Sequence, residues 1–456
     1  MTPLLLQGDA QALPLADHSV HCVVTSPPYW GLRDYGTATW RGGDPACLHS
    51  RQTSSREATV TSESRPANVN HAREPWEGGR CGRCGATSED AQLGTESLHD
   101  CLAWARQEPP CGQCYVCSMR QTFREVWRVL RPDGTCWVVI GDSYYGNGSP
   151  GGDATRTCNS APNAMDKVIT KRGPGLKSKD LAGIPWRVAL ALQADGWVLR
   201  SDIIWSKANC MPESVTDRPT RAHEYIFLLA KQARYFWDQE AVREVAQTAE
   251  RSREKNNGES AVDTKMRGHG SSCGTMVEGR NLRSVWTIPT EAYSGAHFAT
   301  FPQALVERCI KAGTSEAGCC RACGAPWTRQ TERTETRNLS AKGSRFDLGK
   351  TGTNGQSRVQ AGERYLSRST GFAPSCLCNS GPPGPCTVLD PFCGTGTTLL
   401  VARALRRQSV GVDLSMAYLR HQARPRLQLD ALAAWEGNLV RAAPALAVND
   451  LPLFQR

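Results

Sequence analysis

No apolar run in the 456 residues approaches the roughly 18 that a membrane span needs. The start, Met1 to Leu15, holds the short Leu4–Leu6 run with no basic segment before it, so no signal peptide is expected. The Gly-x-x-x-x-Gly-Lys pattern is absent, which argues against a phosphate-cradling ATPase loop. Acidic residues are the scarcer charge: 44 Asp and Glu face 54 Lys and Arg, for a formal net charge of +10. A mild positive balance suits a polyanionic partner without specifying one. Charged residues make up 21% of the chain and hydrophobic residues 39%, which excludes a wholly disordered protein. The expectation is a soluble, cytoplasmic protein of two or three domains, or one core with large insertions.

Cysteine is in excess, with 20 in the chain. In a reducing compartment, clustered cysteines at short spacing read as metal ligands rather than disulfides. Cys320-x-x-Cys323 with Cys376-x-Cys378 makes a four-thiol set with Cys319 as a spare, suited to structural zinc. The stretch between its pairs, 324–375, is longer than usual ribbon spacing. Cys47-x-His49 with Cys81-x-x-Cys84 makes a second set. Cys111-x-x-Cys114-x-x-Cys117, with Cys101 nearby, makes a third, for which iron–sulfur ligation stays open. Cys22, Cys136, Cys158, Cys210, Cys273 and Cys309 stand alone and read as reduced thiols.

Short strands alternate with helices along the chain, the pattern of an α/β sheet with parallel strands. A strand ends at Val23-Val24, and Phe123, Val126, Trp127 and Leu130 mark a helix over 119–130. Arg131–Gly134 reads as a turn and Trp137–Ile140 as a buried strand. A helix over Ile184–Ala194 and strands over Val198–Trp205 and Tyr225–Ala230 follow, then a helix over Phe301–Ala312. The end of the pattern is a strand at Thr387–Leu389, a loop, a helix over Thr397–Arg406 and a strand at Val410–Val412. Polar, Cys-rich blocks interrupt this series and look like excursions from the sheet.

Two segments carry chemistry. Val388-Leu389-Asp390-Pro391-Phe392-Cys393-Gly394-Thr395-Gly396-Thr397-Thr398 is a strand ending in an acid, a glycine turn and a helix start. Glycines let the backbone approach a ligand, and the helix start offers free N–H groups. Asp413, about 20 positions on at the end of the next strand, is placed for ribose hydroxyls. The other segment is Thr25-Ser26-Pro27-Pro28-Tyr29-Trp30, directly after the first strand. Its prolines fix the backbone and remove donors, leaving acceptors beside an aromatic ring, a set suited to a flat heterocycle with an exocyclic amine. A rigid turn is the plainer alternative for that peptide alone.

Together, Thr25–Trp30 and Asp390–Gly396 resemble the DNA amino-methyltransferase family, and the order of the two resembles its circularly permuted beta group. Gly8-Asp9-Ala10, Arg131–Gly134 with Gly141-Asp142-Ser143-Tyr144, Asp217–Thr220 with His223-Glu224-Tyr225, and His297–Pro302 add to the likeness. Ala222 departs from it, standing where relatives more often have Ser before His-Glu. The resemblance implies a doubly wound, Rossmann-like methyltransferase sheet, circularly permuted, with zinc-stapled insertions. Its core would comprise 1–40 with the catalytic motif, 119–240, 284–318 and the cofactor-binding 386–428. Residues 41–118 and 319–385 would be the zinc insertions, 241–283 a polar loop for target recognition, and 429–456 a tail.

The implied reaction moves a methyl group from S-adenosylmethionine to an exocyclic amine of a base flipped out of double-stranded DNA. Ser26 and the Pro27 carbonyl would take the amine hydrogens, Pro28 would hold the turn, and Tyr29 would stack on the base. Phe392, Gly394 and Gly396 would line the methionine and ribose end of the cofactor, with Asp413 on the ribose and Asp9 near the adenine amine. Asp390 would orient the loop or meet the methionine amine. Ser at position 26 favours cytosine N4 over adenine N6, and a companion restriction endonuclease is the implied partner. Cytosine C5 chemistry would need a nucleophile such as Cys111 or Cys386, each after a proline, and Cys393 is better placed for packing. A non-catalytic zinc-ribbon protein on the same scaffold, and an RNA or protein-amide methyltransferase, are the rival readings. Lys171, Arg172, Lys177, Lys179, Lys207, Arg218 and Arg221 would face phosphates.

Overall fold

The computed structural model describes residues 1–30, 39–42, 44, 47, 84, 86–89, 93, 94, 96, 103, 105–145, 176, 177, 179–244, 280–291, 300–336 and 364–430. The chain forms two compact units: Met1–Phe236 with Ser284–Thr314 and Pro385–Arg456, and Trp237–Arg283 with Ser315–Gly384.

The larger unit is built on an eight-stranded sheet. In chain order its strands are β1 (Leu4–Gln7), β2 (Val20–Thr25), β5 (Leu130–Ile140), β6 (Val198–Ser206), β7 (His223–Ala230), β8 (Val285–Thr287), β11 (Thr387–Asp390) and β12 (Gln408–Asp413). Two short strands, β3 (Thr39–Arg41) and β4 (Thr87–Glu89), pair apart from it. The order across the sheet is β1-β12-β11-β2-β5-β7-β6-β8.

The first five strands run parallel, but β7 pairs antiparallel with both β5 and β6. The sheet is therefore mixed, which corrects the parallel expectation. The connection agrees: β6 and β7 are joined by 207–222 with no helix, whereas a parallel pair is usually joined through a crossover helix. A second correction concerns Arg131–Gly134. These residues lie within β5, and the pairing with β2 jumps from Val20–Leu130 to Cys22–Thr135 across them. A Cβ at Gly134 would come within 2.9 Å of the His21 carbonyl, so only glycine passes that close to β2.

Alternation along the strands covers both faces of the sheet. Cys136, Val138 and Ile140 of β5 join Phe227, Leu229, Val410 and Val412 in one cluster. That cluster takes the apolar stripes of α1 (Tyr115–Val129) and α2 (Ile184–Ala194), which pack on each other. The opposite parity meets α3 (Gln303–Gly313) and α4 (Thr397–Ala404), also packed together. There Gly313 sits where a Cβ would lie 2.3 Å from the Thr135 hydroxyl and 3.0 Å from the Cys22 sulfur. Among the described residues, no helix is long and apolar enough to cross a membrane.

The smaller unit carries an antiparallel hairpin, β9 (Trp327–Thr336) with β10 (Arg364–Pro374), in register from Trp327–Pro374 to Thr336–Arg364 with one irregularity at Ser369/Gly371. Arg329 holds this unit from inside, forking onto the buried Asp238 at 2.9 and 3.0 Å and reaching Glu316 at 3.1 Å.

Candidate active site

β2 and β11 are parallel neighbours, with Val388 beside Cys22 and Leu389 beside Val23. Both strands end at the same edge, so the peptides that follow them, Ser26–Tyr29 and Pro391–Gly394, lie side by side. The carboxyl ends of such strands are where open α/β sheets bind ligands. A cavity of about 320 Å³ opens there. Its walls are Gly8, Asp9, Ser26–Tyr29, Leu93, Gly141, Asp142, Arg221, Glu224, Phe301, Asp390–Thr395, Asp413, Ser415 and Tyr418, with a few neighbours.

Asp390 is the fixed point between the two peptides. Its Oδ1 accepts from the Thr25 hydroxyl at 2.7 Å and from the Phe392 amide at 3.1 Å, and its Oδ2 accepts from the Thr398 hydroxyl at 2.7 Å. The carboxylate thus joins the end of β2, the loop and the first turn of α4. Burial pushes it up to about 6, and the bonds from Thr25, Thr398 and Phe392 oppose the shift. This geometry favours the loop-ordering role over contact with a ligand amine.

Asp413 closes the loop from the other side. Its Oδ2 accepts from the Gly394 amide at 2.9 Å and its Oδ1 from the Ser415 amide at 2.8 Å. Burial raises it from the ordinary carboxylate value, against the pull of those two amides. Gly394 has φ 47, and a Cβ there would meet nothing within 4 Å. Gly396 stands a step back from the cavity. It begins α4 with φ 77, and a Cβ would press on Leu427 at 3.2 Å. Asp9 follows β1, whose Gln7 pairs with Asp413, and its carboxylate accepts from the Gln11 amide at 2.8 Å. Cys393 is buried, its sulfur 2.9 Å from where a Gly411 Cβ would be, and burial drives its thiol well up. It packs, as expected, and a thiol held neutral is a poor nucleophile.

The Ser26–Tyr29 peptide is held from three directions. The Tyr115 hydroxyl of α1 donates to the Pro28 carbonyl at 2.8 Å. The Tyr29 hydroxyl donates to Glu224 Oε2 at 2.6 Å. The Tyr29 ring lies on Gly141, where a Cβ would be 2.7 Å from its Cε2. Burial, reinforced by the Glu224 charge, raises the Tyr29 phenol well above its ordinary value, so it stays a donor. Glu224 is fixed in turn by the Lys207 ammonium. Asp142 accepts from the Gly183 amide at 3.1 Å and the Ile184 amide at 2.9 Å, anchoring the start of α2, and Arg221 donates to its carbonyl.

Sequence reasoning assigned no role to Thr25, Tyr115, Asp142 or Glu224, took Thr398 only as part of the helix start, and set Arg221 at phosphates, whereas its guanidinium bonds the Asp142 carbonyl beside the cavity. Asp142 and Glu224 lay inside quoted segments, and their position at strand ends beside the cavity was the available signal. Of the basic residues expected at phosphates, Lys179 pairs with Asp217 at 2.7 Å, and Arg218 pairs with Glu213 while lying 3.9 Å over the Tyr144 ring.

The thiols separate into groups. In the smaller unit, the sulfurs of Cys320, Cys323, Cys376 and Cys378 all lie within 4.8 Å of one another. The hairpin explains the long stretch between the pairs, because Trp327 and Pro374 at its root are partners. The turn Cys320–Ala325 is closed by the Gly324 amide on the Cys320 carbonyl at 2.9 Å. Of the second set only Cys47 and Cys84 fall among the described residues; His49 and Cys81 lie outside them. Cys101 also lies outside, while the sulfurs of Cys111, Cys114 and Cys117 lie within 4.8 Å of one another in the larger unit.

Comparison with known proteins agrees with this geometry. A family model described as DNA methylase, of the N6/N4 type, matches residues 20–320 and 383–424. Type II methyltransferase M.SmaI of Serratia marcescens is 31% identical over 421 residues, covering 91% of this chain and 87% of that protein. M.XycI of Xanthomonas campestris pv. cyanopsidis is 32% identical over 443 residues, covering 97% and 91%. M.Cfr9I of Citrobacter freundii is 37% identical over 312 residues, covering 68% and 72%. With a family match over residues 20–320 and 383–424 and extended sequence identity to type II methyltransferases, this chain belongs to the N6/N4 family of DNA methylases.

Proposed function

We propose that this chain methylates the exocyclic N4 of cytosine in double-stranded DNA, using S-adenosylmethionine, as the modification enzyme of a restriction–modification pair. The observation that carries the reading is the meeting of Ser26–Tyr29 and Pro391–Gly394 around one cavity. The residues fit the cofactor. Asp413, Asp9 and the open backbone at Gly394 offer polar contacts to a ribose and an amine, and Phe392 and Tyr418 offer flat apolar surface. S-adenosylmethionine supplies a sulfonium-bound methyl carbon, an electrophile that needs no further activation.

The protein's work is then positioning and electrostatics. The Ser26 hydroxyl and Pro27 carbonyl accept the hydrogens of the target amine and turn its lone pair toward the methyl donor. Tyr29, pinned by Glu224 and seated on Gly141, sets the plane of the base. Tyr115 occupies the Pro28 carbonyl and so fixes the turn. The target nucleotide must leave the duplex to reach this depth. Ser26, in place of the Asp commoner among adenine enzymes, supports cytosine, and adenine N6 is the second reading. The order of the two motifs supports a circularly permuted member of the family.

The set Cys320, Cys323, Cys376 and Cys378 fits a structural zinc. Tetrahedral zinc with bonds of about 2.3 Å spaces sulfurs roughly 3.8 Å apart, and the four already lie within 4.8 Å. Such an ion would clamp the root of the β9–β10 hairpin. The set with Cys47, His49, Cys81 and Cys84 remains a proposal from sequence.

Nucleoside analysis of DNA from cells expressing the chain, in a host free of N4-methylcytosine, tests the reading. N4-methylcytosine is the expected product. N6-methyladenine overturns the base assignment, and neither product overturns the methyltransferase.

A further inference from the structure

Three further thiols stand at the head of α1, the helix that buttresses the catalytic peptide. Cys114 is the residue that caps α1, with φ −115 and ψ 151, and its sulfur accepts from the Cys117 amide at 3.4 Å. Cys117 lies in the first turn, and Cys111 precedes the helix by one loop. The three sulfurs lie within 4.8 Å of one another, and none is in a disulfide. Cys114 and Cys117 are wholly buried, and Cys111 is half-buried.

We propose that Cys111, Cys114 and Cys117 ligate one zinc ion, with the fourth position taken by a donor outside the trio. Separations within 4.8 Å suit a single small ion, because bonds of about 2.3 Å bring sulfurs to roughly 3.8 Å. A multi-iron cluster would push the same sulfurs apart. Zinc fits a soft, all-sulfur face and needs no redox partner.

The place of the ion gives it a task. Cys114 and Cys117 bracket Tyr115 and Val116. Tyr115 is fully buried, and its hydroxyl holds the Pro28 carbonyl at 2.8 Å. An ion on the two flanking sulfurs fixes the first turn of α1, and through Tyr115 it fixes the Pro-Pro turn beside the target base. It acts by positioning and takes no part in methyl transfer.

The test uses the full chain. Metal content is measured by mass spectrometry for the wild type and for Cys114→Ser/Cys117→Ser. The expected result is the loss of one zinc per chain in the double variant, and equal zinc in the two overturns the proposal. Peptide-resolved alkylation of the wild type covers the case in which the variant fails to fold. Cys111, the half-buried member, is expected to resist iodoacetamide in the zinc-loaded protein and to react after a chelator. Reactivity unchanged by the chelator overturns the proposal, as does iron with acid-labile sulfide in place of zinc.

Discussion

The Tyr29 hydroxyl donates to Glu224 Oε2 at 2.6 Å, while Lys207 holds the other oxygen of the same carboxylate. Tyr29 follows β2 and Glu224 lies on β7, the strands on either side of β5, so the bond spans the mouth of the cavity over β5. Replacing Glu224 by Gln keeps the shape and removes the charge. A hydrogen bond to a charged group is worth about 1.5–3 kcal/mol, so kcat/KM should fall roughly ten- to a hundredfold. Cofactor Kd, measured by titration calorimetry, should stay put. An equal loss in both would contradict the assignment of this pair to the base side of the site.

Gly141 is the seat of the Tyr29 ring, with a Cβ placed 2.7 Å from Cε2 and 3.1 Å from Cδ2. Gly141→Ala forces ring or strand to move, and overpacking of this kind costs about 1–3 kcal/mol. A lowered melting temperature and reduced turnover are expected, with cofactor affinity retained. An alanine variant with wild-type turnover would mean that the ring does not need this seat.

Much of this site was legible in the sequence because its two peptides are contiguous. Ser26-Pro27-Pro28-Tyr29 and Asp390–Gly396 each need particular residue types in unbroken order, and the chain displays them. Glu224, Tyr115 and Thr398 were not legible as site residues, because only folding brings them beside Tyr29, Pro28 and Asp390. The antiparallel β7 was missed for another reason. Its apolar run looks the same in either direction, and only the helix-free link 207–222 distinguishes the two. The four thiols of the smaller unit lie close together, although in sequence the stretch 324–375 looked too long until the hairpin folded it back.

Asp390 gives a pH signature. Burial lifts it from an ordinary 3.8 to about 6, so the folded chain binds this proton more readily than the unfolded chain. Its contribution to stability is then greatest at low pH and declines as pH rises through about 4 to 6. Measured against Asp390→Asn, which cannot titrate, the wild type should gain stability as pH falls from about 7 to about 5. A difference that stays constant over that range would contradict the burial argument. Cofactor affinity should move the opposite way, since burial also raises Asp413 and protonation removes the acceptor proposed for the ribose.

The four-thiol set lies wholly in the smaller unit. Cys323 and Cys378 are exposed, so an ion on the four-thiol set is within reach of a chelator. Metal removal should lower the melting midpoint by roughly 5 °C or more. The cavity residues all belong to the larger unit, so in Cys320→Ser/Cys376→Ser cofactor affinity should persist. An unchanged midpoint after verified metal loss would contradict a structural zinc there.

The most direct test of the central claim is methyl transfer by the purified chain and by Ser26→Ala. Both are incubated with labelled S-adenosylmethionine and duplex DNA carrying many sequence contexts, and the label is traced to individual nucleosides. The wild type is predicted to place label in N4-methylcytosine, and Ser26→Ala to lose most turnover while binding the cofactor as before. Label absent from DNA despite intact cofactor binding, or Ser26→Ala turning over like the wild type, would contradict the account.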